Sequence, residues 1–331
     1  MSTSYRDVSV ASTAAAHDVA SPSTPGSRPG ASRDTRSSVF GGVRRNRQPL
    51  PPMTPGRGII VWALTTVCLL AAWFLLYVFA LTPLAEARSQ SILYGTFREQ
   101  LALQVAPLGG AVKPGVPVAL INAPGLDITD VVVVEGTAAG DLMAGPGHRR
   151  DTVLPGQRGV SVLYGRAAMF NGPFAGIATA KPGAVITVTT GQGVFTYVVT
   201  DVRHARDAFP QPLQSGEGRL TLATAQGSGR LGAWNPTGVV YLDAKLNGVA
   251  LPYPPGRPAV VPTAETALQG DPSSLLPLTL SLPLLIGALV FMVWARSRWG
   301  GWQAWLVVLP LVLAAMWAVS QAAVQLLPNL V

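Results

Sequence analysis

One cysteine and three histidines are the whole supply of thiols and imidazoles in 331 residues, and charged residues make up only 12% of the chain. The cysteine, Cys68, lies inside a long uncharged apolar run, so an internal disulfide framework is excluded and thiol chemistry has no place elsewhere in the chain. Outside the N-terminal region the histidines are His148 and His204, with no cysteine beside them and no acidic residues at a ligand spacing. That excludes a metal centre of the usual kinds. The glycines of GPGHRRDTVLPGQRG are no phosphate loop either, because no lysine stands at the required place and no apolar helix opens after them. No cofactor is expected.

The shortage of charge goes with 49% hydrophobic residues, too many for an ordinary soluble protein. Three runs account for the excess: 59–82, 274–295 and 302–327. Each is long enough to cross a hydrocarbon core of about 30 Å, and each reads as a transmembrane helix. Pro277, Pro283 and Pro310 are expected to kink the last two, which membrane helices tolerate. Arg44, Arg45, Arg47 and Arg57 precede the first run, and Arg296 and Arg298 occupy the short loop at 296–301. Positive-inside then puts the N-terminus and that loop in the cytoplasm and the segment between runs one and two outside the plasma membrane. Ser320, Gln321 and Gln325 in the third run read as ordinary small or polar positions near the outer interface, with helix contact as the alternative.

The net charge of +8 invites a nucleic-acid reading. Yet residues 1–58 hold eight arginines against three aspartates, beside the first apolar run. Anionic lipid and topology explain that charge, and no nucleic-acid partner is expected. This tail, rich in Ser, Thr, Ala, Pro and Gly and without periodicity, reads as disordered.

Residues 83–114 contain an amphipathic helical stretch, SILYGTFREQLAL, with Ile92, Tyr94 and Phe97 near Leu101 at helical spacings; it reads as a stalk or a helix packed on the domain. Between 115 and 250 short apolar strands follow one another: VPVALI, VVVV, VSVLY, VITVT, VFTYVVTDV, RLTLAT and VVYLDA. Glycine and proline punctuate the gaps, and TTGQGVF carries a short hairpin loop. Many short strands with brief helical insertions argue for a mainly β barrel or sandwich. A proline-rich linker over 251–273 leads to the second apolar run.

The ordered set VVVVEGTAAGDLMAGPGHRRDTVLPGQRGVSVLYGRAAMFNGPF, KPGAVITVTTGQGVFTYVV, RLTLATA and VVYLDAKL resembles the sortase family, most of all its actinobacterial class E type. The resemblance implies an eight-stranded β-barrel on the outer membrane face. It also implies a cysteine that cleaves a sorting signal and passes the acyl group to a cell-wall or pilus amine, helped by a histidine and an arginine. The family's cysteine ends a strand of the form T-L-x-T-C, and the matching run here is Thr221 to Ala225. Its histidine falls at Arg166, which cannot serve as a general base. Its arginine opens the last strand, where Thr237 stands, and Arg230 comes several residues too early.

With nucleophile, base and arginine all replaced, the sequence reads as a pseudoenzyme. The expected binding groove is formed by Tyr164, Arg166, Thr221, Ala223, Ala225, His204 and Arg230. Alternation along the strand puts Thr221, Ala223 and Ala225 on the groove face and Thr224 on the core face. The expected partners are the bilayer and a secreted or cell-wall protein segment or an active sortase. Two rival readings remain: a noncanonical transpeptidase or hydrolase using Ser161, Ser228 or His204, and a polytopic membrane component that the barrel regulates.

Overall fold

The computed structural model describes residues 55–204, 206–227, 232–299 and 301–331; most of the basic tail, together with Ser228, Arg230 and Gly300, lies outside the described residues. The chain enters as helix α1 (Pro55–Leu76), widens into one π turn at Tyr77–Leu81, and continues as α2 (Thr82–Ala102). Pro83 has no N–H to give to the preceding turn, and Thr82 Oγ1 donates instead to the Val78 carbonyl at 2.7 Å. The stalk stretch is therefore the far end of one long helix. Its apolar stripe is narrower than its spacing predicts, because Phe97 is buried but Ile92 is 61% exposed.

Eight strands close into a barrel. They are β1 (Pro117–Ala123), β2 (Ile128–Glu135), β3 (Gly147–His148), β4 (Gly159–Tyr164), β5 (Val185–Thr190), β6 (Gly193–Arg203), β7 (Gly218–Gln226) and β8 (Gly238–Asn247). Their order around the barrel is β1-β2-β3-β4-β7-β8-β6-β5, closed by β1 against β5. The β2–β3 and β4–β7 pairs are parallel. The loop at Gly191 and Gln192 joins β5 and β6 as the hairpin its glycines predict. The strand that periodicity does not reveal is β3, because two residues show no alternation.

So short a strand leaves the edge of β2 partly uncovered, and α2 completes it. Gln90 Oε1 accepts the Val132 N–H at 2.8 Å, while Gln90 Nε2 donates to the carbonyls of Val132 at 3.1 Å and Ala144 at 2.7 Å. One side-chain amide thus stands in for a missing strand residue. Inside the barrel, Ile121, Ile128, Leu163, Phe174, Ile186, Val188, Tyr197, Leu220, Leu222 and Leu242 form one buried core.

Helices α3 (Leu275–Trp299) and α4 (Gly301–Gln325) run on through Pro283 and Pro310 and pack against each other. Among the described residues three helices are long and apolar enough to cross a membrane: Ala63–Ala102, Pro272–Arg298 and Trp302–Gln325. Asp271, just ahead of α3, donates its N–H to the carbonyl of Gln325 at the end of α4 (2.8 Å), so those two ends lie together beside the barrel. Ser320 is no bystander at an interface. It is buried and accepts the Trp73 indole N–H from α1 at 3.2 Å, and Tyr77 meets Trp317 edge-on at 5.2 Å.

Within the core, the Tyr197 hydroxyl accepts the Gly156 N–H at 2.6 Å, and burial raises its phenol to about 12. Replacing Tyr197 by Phe strands that buried donor. We expect Tyr197→Phe to cost about 1 to 3 kcal/mol, read as a lower melting temperature of the detergent-solubilised chain.

Candidate functional site

Strands β4, β7 and β8 lie side by side, and their pleat sorts the side chains onto two faces. Leu163, Leu220, Leu222, Val240 and Leu242 point into the barrel core. The outer face carries Val160, Val162 and Tyr164 from β4, Arg219, Thr221, Ala223 and Ala225 from β7, and Val239, Tyr241 and Asp243 from β8. The register sets Val162 and Asp243 beside Thr221, Tyr164 and Tyr241 beside Ala223, and Val239 beside Ala225. Thr224 is on the core side, as alternation requires, and its hydroxyl donates to the Gly165 carbonyl at 2.8 Å.

This outer face is divided in two. At its head, where β7 ends, Ala225 is only 6% exposed. It shares an apolar cluster with Tyr164, Ala223, Val239, Met169, Phe170, Tyr77 and Val78, and with Val324, Leu330 and Val331 from the end of α4 and the residues after it. The other part is an open cleft of about 800 Å³, whose lining includes Arg149, Tyr164, Arg203, His204, Thr221 and Tyr241. Phe209, 93% exposed, stands on its rim.

The cleft floor is held by a closed polar chain. Thr221 Oγ1 donates to Asp243 Oδ1 at 2.6 Å, and Arg203 Nε pairs with the other carboxylate oxygen while its guanidinium covers the Tyr241 ring at 5.3 Å. A carboxylate already engaged by a guanidinium is a poor base for the Thr221 hydroxyl. His204 pairs with Asp207 at 3.2 Å, and Arg149 with Asp151 at 2.8 Å.

Arg166 departs furthest from the sequence reading. It neither lines the open groove nor reaches solvent. It is 0% exposed, and its guanidinium donates to three main-chain oxygens: that of Leu142 from Nε at 3.2 Å, of Val331 from Nη1 at 3.1 Å and of Ala139 from Nη2 at 2.9 Å. The fourth side faces the Phe170 ring at 5.0 Å. Burial lowers its pKa to about 9, which leaves it protonated at neutral pH. The chain reaches this position through Gly165, where a Cβ would collide with the Phe174 ring. Glycine is required there by close approach.

Of the groove residues inferred from sequence, Tyr164, Thr221 and His204 do meet at the cleft. Ala223 and Ala225 belong to the covered head, Arg166 to the interior, and Arg230 lies outside the described residues. Thr237, ahead of β8, is exposed and gives its N–H to the Gln226 carbonyl at 2.7 Å. Ser161 cannot pair with His204: it is buried on the inward side of β4 with no hydrogen-bond partner, while His204 is exposed. His148 is buried too, with Nδ1 2.8 Å from Glu135 and Nε2 2.9 Å from the Val153 carbonyl. Among the described residues no group of three or more His, Cys, Asp or Glu side chains could hold a metal ion. Arg203, Tyr241, Asp243 and Arg149 were missed. Alternation in VVYLDA already puts Tyr241 and Asp243 on one face, and the R-H-A-R run at 203–206 marks a basic turn, but their pairing across strands is not visible in either segment.

Residues 121–232 match the family model described as the sortase domain. Among solved structures, the chain is similar to the Clostridium perfringens sortase D5 transpeptidase, with 22% identity and a TM-score of 0.39 over 49% of this chain and 99% of that one. It is similar to Clostridium perfringens sortase C with the C-terminal cell wall sorting motif, at 19% identity and a TM-score of 0.36 over 49% and 90% of the two chains. Sortase E from Streptomyces avermitilis gives 25% identity and a TM-score of 0.35 over 47% of this chain and 100% of that one. No curated protein matches the chain. The closed eight-stranded barrel is the architecture typical of sortases.

Two outcomes follow from the interior of the site. Arg166→Met strands three buried main-chain oxygens and is expected to cost at least about 3 kcal/mol in thermal or denaturant melts; Arg166→Lys should not rescue it, because one ammonium cannot match the guanidinium fork. In the adjoining loop, burial raises the Asp141 carboxyl to about 6, against the pull of the Ala138 N–H. The folded state then holds that proton more tightly than the unfolded chain, so stability falls as pH rises from the ordinary value of 3.8 to about 6 and changes no further above it. Asp141→Asn should therefore raise the melting temperature at pH 7.5 relative to the parent and give little gain at pH 4.

Proposed function

We propose that this sortase-fold chain with membrane-spanning helices is a pseudo-sortase: an anchored barrel outside the cytoplasmic membrane that binds or positions a peptide segment instead of cutting it. The observation that carries the reading is Ala225. It stands at the next-to-last position of β7, where the resembling family has its cysteine, and it is enclosed by apolar side chains. A thiolate mechanism needs a nucleophile, a proton donor to the leaving amine and an oxyanion partner. Here those three positions hold Ala225, a guanidinium engaged by three main-chain oxygens, and Thr237.

What the barrel keeps is a concave surface with peptide-sized features. Tyr164, Tyr241 and Phe209 offer aromatic faces, and Arg149, Arg203 and His204 offer donors to carboxylates or main-chain carbonyls. The partner class is a segment of a secreted or cell-wall protein, or an active sortase, in surface-protein or pilus assembly. Membrane orientation agrees. The arginines of 296–298 lie at the end of α3 away from the barrel, and a positive-inside arrangement puts that end in the cytoplasm and the barrel outside.

The test is turnover and binding by the detergent-solubilised full chain. Sorting-signal peptides should remain intact, and Ala225→Cys should restore at most trace cleavage, since no histidine accompanies the new thiol. A verified partner should lose about tenfold in affinity on Arg203→Ala or Tyr241→Ala, the scale of one charge-assisted contact. Robust cleavage by the unmodified chain would overturn the proposal.

A further inference from the structure

The head of the outer face is occupied, and its occupant is held as a bound peptide is held. After α4 the chain turns at Leu326 and Leu327 and lays Pro328, Asn329, Leu330 and Val331 against the barrel. Asn329 donates its N–H to the Gln269 carbonyl at 2.9 Å. Its Nδ2 donates to the carbonyls of Thr137 at 2.8 Å and Thr266 at 3.0 Å. The Leu330 carbonyl accepts the Ala167 N–H at 2.9 Å, and the Val331 main-chain oxygen accepts from Arg166. The side chains of Leu330 and Val331 are buried in the cluster that contains Ala223 and Ala225. Main-chain groups are paired, one amide side chain is read by two carbonyls, and two apolar side chains fill the floor: these are the elements of sequence-selective peptide recognition.

Two features make this contact separable from the rest of the fold. Leu326 and Leu327 already direct their N–H groups to Ala323 and Val324, so the segment can leave without opening α4. Asn329 Oδ1 is buried and has no hydrogen-bond partner, so the seat is incompletely satisfied and its hold is weakened.

We propose that the head of the groove is a peptide-binding site closed in cis by Leu326–Val331, and that its ligand in trans is an extended segment of the same chemistry, an amide side chain followed by two apolar residues. This rests on the reading of the barrel as a peptide-binding domain and adds that the head of the same face, beside the cleft, is a regulated part of it. A tethered segment acts at an effective concentration in the millimolar range, so a free peptide gains access only when the tether is unseated. Arg166 and Ala167, which follow β4 at the place of the family's histidine, thereby hold a ligand's main chain.

The experiment uses the full chain in detergent with Cys68→Ser, and Ala225→Cys as the reporter of access. With the tail intact, maleimide labelling of that position should be slow. Asn329→Ala should accelerate it by about tenfold or more, the loss of one or two buried hydrogen bonds being enough to shift a tethered equilibrium that far. A synthetic peptide LLPNLV should then slow the labelling of the Asn329→Ala chain again, while LLPLLV, lacking the amide, should not. If Asn329→Ala does not melt cooperatively, Leu330→Ala takes its place with the same readout, trimming the anchor without removing a polar partner. Fast labelling with the tail intact, labelling unchanged by unseating it, or no protection by LLPNLV each overturns the proposal. Peptide cleavage by the unmodified chain is a separate measurement; it would overturn the non-enzymatic reading and leave these labelling results as they stand.

Discussion

The guanidinium of Arg166 is the constraint on which the head of the barrel depends. A buried cation is expensive, and it persists here because three main-chain oxygens and an aromatic face surround it. Those oxygens come from far apart in sequence: Ala139 and Leu142 in the loop after β2, and Val331 beyond α4. One side chain therefore ties the end of β4 to a barrel loop and to the stretch that follows the last membrane-length helix. The chain uses this point as an internal fastening.

The fastening explains why the outer sheet face is split. Where α1, α4 and the tail converge, side chains such as Tyr77, Val324, Leu330 and Val331 cover Ala223 and Ala225 and form a second core outside the barrel. Further from the helices Val162 and Tyr241 are only half-buried, and the surface becomes a cleft with paired arginines. Small residues at 223 and 225 suit the first role, since a bulky side chain there would compete with Leu330 and Val331 for the same volume. The Thr221–Asp243–Arg203 chain suits the second, because it fixes the floor while leaving aromatic faces and donors at the rim.

The helices and the barrel are joined by specific polar contacts. Gln90 extends β2 with its amide, Trp73 donates to Ser320, and the ends of α3 and α4 meet through Asp271 and Gln325. Each satisfies a group that would otherwise be unpaired away from water. The first contact couples the barrel to α2, and the other two couple the helices to one another.

The sequence alone determined the three apolar helices and most of the strands, because both follow from periodicity and length, which are local properties. It also put Ala225 at the end of the T-L-A-T run of β7, since an ordered set of motifs locates that position without coordinates. It missed β3, whose two residues are too few to alternate, and it put Arg166 in a groove, because strand order says which residue follows Gly165 but not what lies over it. Tertiary structure decided that the guanidinium turns inward, that Leu330 and Val331 cover the head of the groove, and that Tyr164, Thr221 and His204 share a cleft with Arg203 and Asp243. Burial and hydrogen-bond partners are set by segments as much as 247 residues apart, and no local pattern encodes such pairings.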